Sequence, residues 1–272
     1  MIHHAAPLLI GRRVVVHLAG CGGNGSLMLS GLARLDHAIR ALGHPGLEIS
    51  VFDPDRVTEA NVARQLFYPS DIGRPKATIL VHRVNQCFGS AYEAHAKLYT
   101  ADTGADLLIT CVDSARARVA IGAAHYRRMA SNASYWLDLG NRAADGQVVL
   151  GFKRCKRNQT PASCEMPDVL DLYPEMAAGT VPDDDAPSCS LAEALERQQL
   201  FINQFVVTEA LEILWKLFRF GQVDYHGAFV NLNPRFTRRL DIDAEVWKRF
   251  GWPAETAPAS TRKPTTTPRR KS

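Results

Sequence analysis

The first residues whose type and spacing indicate a chemical role are four glycines in one short turn: Gly20, Gly22, Gly23 and Gly25. Because glycine has no Cβ, the backbone N–H groups of such a turn can approach an anion, and a helix that follows adds its positive N-terminal end. The spacing predicts a phosphate-binding turn. On its own, Gly-x-Gly-x-x-Gly also fits an NAD fingerprint or a tight turn without a ligand.

An acidic residue follows the second apolar run of the chain. Asp53 comes directly after residues 47–52, a stretch of strand length. In a doubly wound sheet, a carboxylate at this place accepts hydrogen bonds from ribose hydroxyls. The glycine turn and Asp53 together predict a nucleotide site.

Polar and cationic residues between positions 55 and 76 distinguish the classes of nucleotide. These residues are Asp55, Asn61, Arg64, Gln65 and Lys76. A redox dinucleotide requires little charge beyond its pyrophosphate, whereas cleavage of a triphosphate at its α-phosphorus develops charge that cations must neutralise. The segment therefore predicts that Arg64 and Lys76 bind a triphosphate.

A further carboxylate, Asp113, follows the apolar run 106–112. It is a candidate Mg²⁺ ligand, because Mg²⁺ sites in nucleotide enzymes commonly take one or two protein carboxylates and leave the other positions to phosphates and water. The alternative is that Asp113 and Ser114 only cap a helix that begins near Ala115.

The elements that must position these residues alternate between strands and helices. Apolar runs predict strands at 13–19, 47–52, 106–112, 135–139 and 147–152, and helical spacing predicts helices at 26–42, 76–87, 115–130 and 191–220. This order favours an α/β fold with a doubly wound, Rossmann-like, mostly parallel sheet. Residues 229–241 predict a C-terminal antiparallel strand pair around Asn233-Pro234, and the aperiodic stretch at about 153–189 predicts an inserted crossover loop.

The motifs just described resemble the ThiF/MoeB/HesA superfamily, the prokaryotic relatives of ubiquitin-activating enzymes. The shared patterns are Gly-x-Gly-Gly-x-Gly, Asp-x-Asp, Asn-x-x-Arg-Gln, Gly-x-x-Lys and the later strand-end Asp, and the resemblance extends from about Val14 to Asp241. Residues 138–142 and 187–198 resemble the ThiF-family proteins of PRTRC gene systems. Two departures from the family pattern are the lack of paired zinc-binding cysteines and of an N-terminal Arg-x-x-Arg segment.

The resemblance implies an enzyme that uses ATP and Mg²⁺ to adenylate the C-terminal glycine of a small ubiquitin-like, β-grasp protein. It implies that Asp53 binds the ribose, that Asp113 binds Mg²⁺ and that Asp55 lies near the transferring phosphate. It also implies that Asn61, Arg64 and Lys76 contact the phosphates, with the four turn glycines and Gln65 facing the nucleotide. A homodimer is expected on the same ground.

Cys189 is the candidate for a thiol that receives the acyl group after adenylation. It precedes a predicted helix that begins at about Ser190, and the positive end of a helix stabilises a thiolate. Two observations favour a structural role instead. Ser190 and Glu193 could form a capping box, and the acidic run 183–185 would raise the pKa of the thiol. Cys155 and Cys164 are weaker candidates in the same loop.

Composition and charge exclude several other classes of protein. The chain has 272 residues, 46% hydrophobic and 22% charged, and a net charge of +4 that equals the charge of residues 253–272 alone. The neutral remainder argues against a nucleic-acid-binding surface, and no apolar run approaches the length of a membrane span. We therefore expect a cytoplasmic protein with an adenylation domain at 1–252 and a disordered basic tail at 253–272. Alternatives are an NAD-dependent oxidoreductase and a non-catalytic ATP-binding scaffold.

Overall fold

The computed structural model describes residues 1–102, 104–127, 133–154, 165–180 and 198–252. The strands in these ranges, numbered in chain order, are β1 (His3–His4), β2 (Val14–Ala19), β3 (Leu47–Phe52), β4 (Glu93–His95), β5 (Leu107–Thr110), β6 (Ala133–Asn141), β7 (Asp145–Arg154), β8 (Gln222–Val223), β9 (Tyr225–Leu232) and β10 (Arg235–Asp241). The helices are α1 (Gly23–Ala41), α2 (Lys76–Phe88), α3 (Ala115–Arg127), α4 (Val169–Leu172), α5 (Pro174–Ala177), α6 (Ile202–Phe220) and α7 (Ala244–Lys248).

Eight of these strands form one sheet in the order β10-β9-β7-β6-β5-β2-β3-β4. The pairs from β6 to β4 are parallel, and the pairs β6–β7, β7–β9 and β9–β10 are antiparallel. β1 and β8 form a separate antiparallel pair. The predicted mostly parallel sheet with a C-terminal antiparallel pair is therefore confirmed.

Helices cover both faces of this sheet. On β7, a Cβ at Gly146 would overlap Val206 of α6, and a Cβ at Gly151 would meet Asp168 beside α4. These glycines are five positions apart, so they face opposite sides of the strand. Gly151 is opposite Trp136 of β6, which packs against Gly122 of α3. Helix α3 and the α4 segment therefore share one face, and α6 lies on the other.

Helices α1 and α6 pack closely on their common face. A Cβ at Gly31 of α1 would overlap the side chain of Leu211 in α6. The strands beneath them are almost wholly buried: Val14, Val16 and Leu18 of β2 are 0% exposed. This packing fixes α1, and with it the glycine turn, against the sheet.

The elements differ from the sequence prediction mainly at their ends. Helix α1 begins at Gly23, three residues before the predicted start at Ser26, because the N–H of Ser26 already bonds to the carbonyl oxygen of Gly22 at 3.0 Å. Strand β5 is shorter than predicted, whereas β6 and β7 are longer. Within the described ranges, no helix combines the length and apolar character that crossing a membrane requires. The predicted basic tail and most of the crossover loop lie outside these ranges.

Candidate nucleotide site

The register of the parallel strands brings the ends of β2, β3 and β5 level with Asp138 of β6 at one edge of the sheet. Ala19 of β2 is paired with Phe52 of β3 on one side and with Thr110 of β5 on the other. Thr110 is in turn paired with Asp138 of β6. The residues that follow these four positions therefore surround one crevice, the usual ligand site in open α/β sheets.

The glycine turn leads from the end of β2 into α1. Gly20 has φ +94°, and a Cβ there would lie 2.5 Å from the carbonyl oxygen of Cys111. A Cβ at Gly25 would overlap the carbonyl oxygen of Gly20, so both glycines are required for the turn to pack. The N-cap residue Gly22 supplies no side-chain cap. The first N–H groups of α1 thus remain available to an anion in the crevice.

Asp53 lies at the end of β3 and organises the adjoining backbone. It is 5% exposed, and its two carboxylate oxygens accept the N–H groups of Cys21 at 2.5 Å and Asp55 at 2.8 Å. Burial raises the pKa of Asp53, and these backbone hydrogen bonds oppose the rise. Each oxygen keeps a second lone pair that can accept from a ribose hydroxyl.

The loop that contains Asn61, Arg64 and Gln65 is docked on the first turn of α1. Asn61 is buried, and its side-chain Oδ1 accepts a hydrogen bond from the backbone N–H of Thr58 at 3.0 Å. Its backbone carbonyl oxygen accepts one from the backbone N–H of Gln65. The hydroxyl of Ser26 accepts the N–H of Leu66 at 3.2 Å. The glycine turn and this loop therefore form two walls of the same crevice.

Lys76 is a buried cation at the start of α2. Its Nζ lies 2.9 Å from Oδ2 of Asp55, and the side chains are 9% and 62% exposed respectively. Asp55 thus neutralises the ammonium from the solvent side. Lys76, a predicted phosphate ligand, therefore lies beside Asp55, the residue predicted to lie near the transferring phosphate.

Arg64 is half-buried and only partly hydrogen-bonded. Its Nη1 donates to Oε1 of Gln198 at 2.8 Å, and its Nε is buried without a partner in the described parts of the chain. Burial lowers the pKa of Arg64, and the negative charge of Asp113 opposes this effect. The charge of Asp113 therefore acts on the Arg64 guanidinium.

Asp113 is exposed beyond the end of β5. Ser114, its neighbour, accepts the N–H of Ala117 at 3.2 Å, so the serine caps α3 and the Asp113 carboxylate is not needed for that role. Among the described residues there is no cluster of three His, Cys, Asp or Glu side chains able to hold a metal ion. A single carboxylate beside the predicted phosphate-binding turn fits Mg²⁺ that would be carried mainly by a nucleotide.

A buried network beneath Asp113 was not found by sequence reasoning. Nε of Arg118 lies 3.0 Å from Oδ1 of Asp138, and that oxygen also accepts the hydroxyl of Thr110. Thr110 in turn accepts the indole N–H of Trp136 at 2.8 Å. Arg118 also donates to the backbone oxygen of Asp113 at 3.3 Å, so the network supports the candidate metal ligand. The only sequence signal for it is an acid inside an otherwise apolar strand.

Two cysteines beside the glycine turn are buried and have raised pKa values. Burial is the main cause for both Cys21 and Cys111, and nearby carboxylates add to it. Neither is an activated thiol. Cys189, Cys155 and Cys164 lie outside the described residues. Arg12 forms an ion pair with Asp106 before β5, away from the crevice at the far edge of the sheet.

Comparisons with known proteins agree with this fold. The sequence model described as "ThiF family" matches residues 11–245. Among solved structures, the chain is similar to MccB of E. coli, with 12% identity and a TM-score of 0.55 over 84% of this chain and 62% of MccB. It is also similar to PaaA, with 12% identity and a TM-score of 0.52 over 84% of this chain and 64% of PaaA. A comparison with curated protein sequences found no match.

These similarities concern the fold and only part of the length of the related chains. At such low identity they show the fold alone, and the chain spans less than two thirds of the length of the MccB and PaaA chains it matches. The structure of E. coli MccB with ATP gives a TM-score of 0.53 at 12% identity, over 84% of this chain and 64% of that chain.

Proposed function

Because the chain belongs to the ThiF family, we propose that it is an ATP-dependent adenylating enzyme that activates the carboxylate of its substrate. The single observation that carries this proposal is the meeting of Arg64, Lys76 and Asp113 with the uncapped N-terminus of α1 at one edge of the sheet. That combination supplies positive charge for a triphosphate and one carboxylate for its metal ion. The MccB structure with ATP supports a nucleotide of this class.

The proposed reaction is a displacement at the α-phosphorus. A carboxylate oxygen of the substrate forms a bond to that phosphorus, the bond between it and the bridging oxygen to the β-phosphate breaks, and pyrophosphate leaves with the electron pair. No proton transfer is required, so catalysis consists of positioning and charge stabilisation. Mg²⁺, when bound, would neutralise phosphate charge.

Each residue of the crevice has a part in this reaction. Asp53 accepts the ribose hydroxyls, and the glycine turn with Asn61 and Gln65 surrounds the phosphates. Arg64 and Lys76 stabilise the charge that develops on the leaving pyrophosphate. Asp113 holds Mg²⁺ from the β5 side. The Lys76–Asp55 pair orients the ammonium at the mouth of the crevice.

We propose that the acyl substrate is the C-terminal glycine of a small ubiquitin-like protein, and that the enzyme acts as a homodimer with residues 1–252 as one adenylation domain. The structure of E. coli MccB with MccA supports a partner that binds to a protein of this fold. Cys189 is the proposed acceptor if the acyl group moves to a thiol. In that case an adduct sensitive to reducing agents forms in the native chain and disappears in Cys189→Ala.

The experiment that tests the function is mass spectrometry after incubation of the full chain with MgATP and small proteins that end in glycine. The expected product is an AMP-linked or enzyme-linked acyl group, accompanied by carboxylate-dependent ATP–pyrophosphate exchange. Binding of NAD in place of ATP would instead support a redox enzyme. ATP binding without exchange for any carboxylate would support a scaffold.

A further inference from the structure

A pair of asparagines, neither of which has a role in the reaction proposed above, lies where the glycine turn meets the β6 side of the crevice. Asn24 is in the first turn of α1 and is 7% exposed, and Asn141 is the last residue of β6. Nδ2 of Asn24 donates to Oδ1 of Asn141 at 2.8 Å. The contact joins the start of α1 to the end of β6. Among the strands around the crevice, β6 is the one farthest from Asp53.

The hydrogen bonds of Asn141 fix which atom Asn24 leaves free. Nδ2 of Asn141 donates to the carbonyl oxygen of Arg142 at 3.2 Å, so its Oδ1 must be the atom that faces Asn24. Asn24 must then use its Nδ2 for this contact, and its Oδ1 remains as an acceptor. That Oδ1 is buried and has no hydrogen-bond partner within the described ranges. A buried acceptor without a donor is costly and rare in folded proteins.

The unpaired Oδ1 of Asn24 can be satisfied only by a ligand that offers a hydrogen-bond donor. Phosphate oxygens of a nucleotide are acceptors, so they cannot satisfy it. The ribose hydroxyls are donors, but Asp53 would hold them at the end of β3, three strands from β6 in the sheet. With strands about 4.8 Å apart, this distance is about 14 Å. The amino group of adenine is also a donor, but the base is attached to the ribose on the side away from the phosphates. The donor that fits this place is therefore one of the other substrate, which brings the carboxylate.

Resting on the proposed function, we propose that Asn24, oriented by Asn141, determines substrate specificity by accepting the N–H of the last peptide bond of the acyl substrate. A terminal residue attached through a peptide bond offers one N–H donor and a carboxylate two bonds farther along. Free amino acids and simple acids lack the amide N–H.

The test compares two synthetic octapeptides ending in Gly-Gly, one with a normal last peptide bond and one in which its N–H is replaced by an ester oxygen. ATP–pyrophosphate exchange is measured with each peptide for the native chain, Asn24→Leu and Asn24→Asp. His37→Leu, an exposed position on the same helix, is the control. In the native chain and in His37→Leu, kcat/KM for the amide should exceed that for the ester by about 3- to 10-fold, the range for one hydrogen bond.

In Asn24→Leu this preference should disappear, through a higher KM for the amide peptide and with KM for ATP unchanged. Asn24→Asp, which keeps an acceptor oxygen, should retain a preference for the amide. An equal amide preference in Asn24→Leu and the native chain, exchange as fast with free glycine, or no exchange with either peptide in a chain that binds MgATP would overturn the inference. Failure to bind MgATP, measured by calorimetry, or MgATP binding without exchange for any carboxylate, free glycine included, would instead overturn the proposed function itself.

Discussion

Arg64 donates to the side-chain oxygen of Gln198 at 2.8 Å, although 134 positions separate them in the sequence. The contact occupies one arm of the guanidinium and leaves Nε buried without a partner in the described ranges. Because Nε and the second arm are not engaged by Gln198, Arg64 can hold a phosphate or carboxylate group without first losing this support.

Replacement of either crevice cation should stop the chemical step. We expect Arg64→Ala and Lys76→Ala each to lower carboxylate-dependent ATP–pyrophosphate exchange by about 100-fold or more, since each removes a preorganised charge from the leaving group. Arg74→Ala, an exposed arginine two residues before Lys76, is the matched control and should exchange at the native rate. Thermal unfolding should show that all three variants remain folded, and native exchange in Arg64→Ala or Lys76→Ala would refute their role.

Asp113→Asn should change the requirement for metal ion. The neutral side chain weakens Mg²⁺ binding because carboxylate charge sets the affinity of such sites, so the Mg²⁺ concentration giving half-maximal exchange should rise about 10-fold or more. ATP binding in the presence of EDTA should stay unchanged. Asp102→Asn, an exposed aspartate before β5, serves as the control. A Mg²⁺ dependence equal to that of the native chain would assign Asp113 a different role.

The buried pair Arg118–Asp138 should matter for stability. The two side chains are 8% and 1% exposed, so Arg118→Met leaves a carboxylate in the core without its cation. We expect a loss of about 3–5 kcal/mol in the free energy of unfolding measured by urea denaturation. Arg116→Met, on the exposed side of the same helix, should cost little.

A second substitution isolates the charge from the packing. In Arg118→Met/Asp138→Asn the buried group is neutral but still accepts from Thr110, so much of the lost stability should return. If the double variant is as unstable as Arg118→Met alone, the network acts through shape and not through charge.

His226 should make the fold sensitive to acid. Its Nδ1–H donates to the carbonyl oxygen of Leu150, and its Nε2 accepts the indole N–H of Trp247, so the neutral ring is held in one tautomer. Burial lowers the pKa of His226 from 6.5 to about 4. The unfolded chain therefore binds a proton that the folded chain does not, and stability that is complete above pH 6.5 is lost as the pH falls toward 4.

The contribution of this one group is on the order of 3 kcal/mol across that window. Urea denaturation at a series of pH values should show a smaller decline for His226→Gln than for the native chain, whatever the absolute stability of the variant. His82→Gln, at an exposed position of α2, should leave the decline unchanged. Equal slopes for all three proteins would contradict the assignment.

Parts of the fold and site that depend on local pattern could be predicted from the sequence. Strand β3 was predicted residue for residue because an apolar run ends sharply at Asp53. The same logic was less accurate for Asp113, because β5 ends at Thr110, two residues before the end of the apolar run. Strand β4, Glu93–His95, was missed because three residues are too few to show a period. The start of α1 was placed late because glycines usually interrupt helices, whereas here they let the first turn pack.

Contacts between distant residues could not be predicted in the same way. Asn24 and Asn141 are 117 positions apart, and Arg118 and Asp138 lie on different elements whose register only the folded sheet defines. Their sequence signals are weak: one amide within a glycine turn and one acid within an apolar strand. Both contacts arise only when α1 and α3 pack beside β6 in the folded chain.

The order of strands along the crevice has a consequence for retention of the reaction product. A mixed anhydride of acyl group and AMP would reach from the β6 end to the β3 end, and contacts made by two linked parts reinforce each other. In the proposed reaction, pyrophosphate would contact neither end and would be free to depart first. The anhydride would stay bound through both ends until its acyl group is transferred, after which AMP, held at the ribose alone, would dissociate.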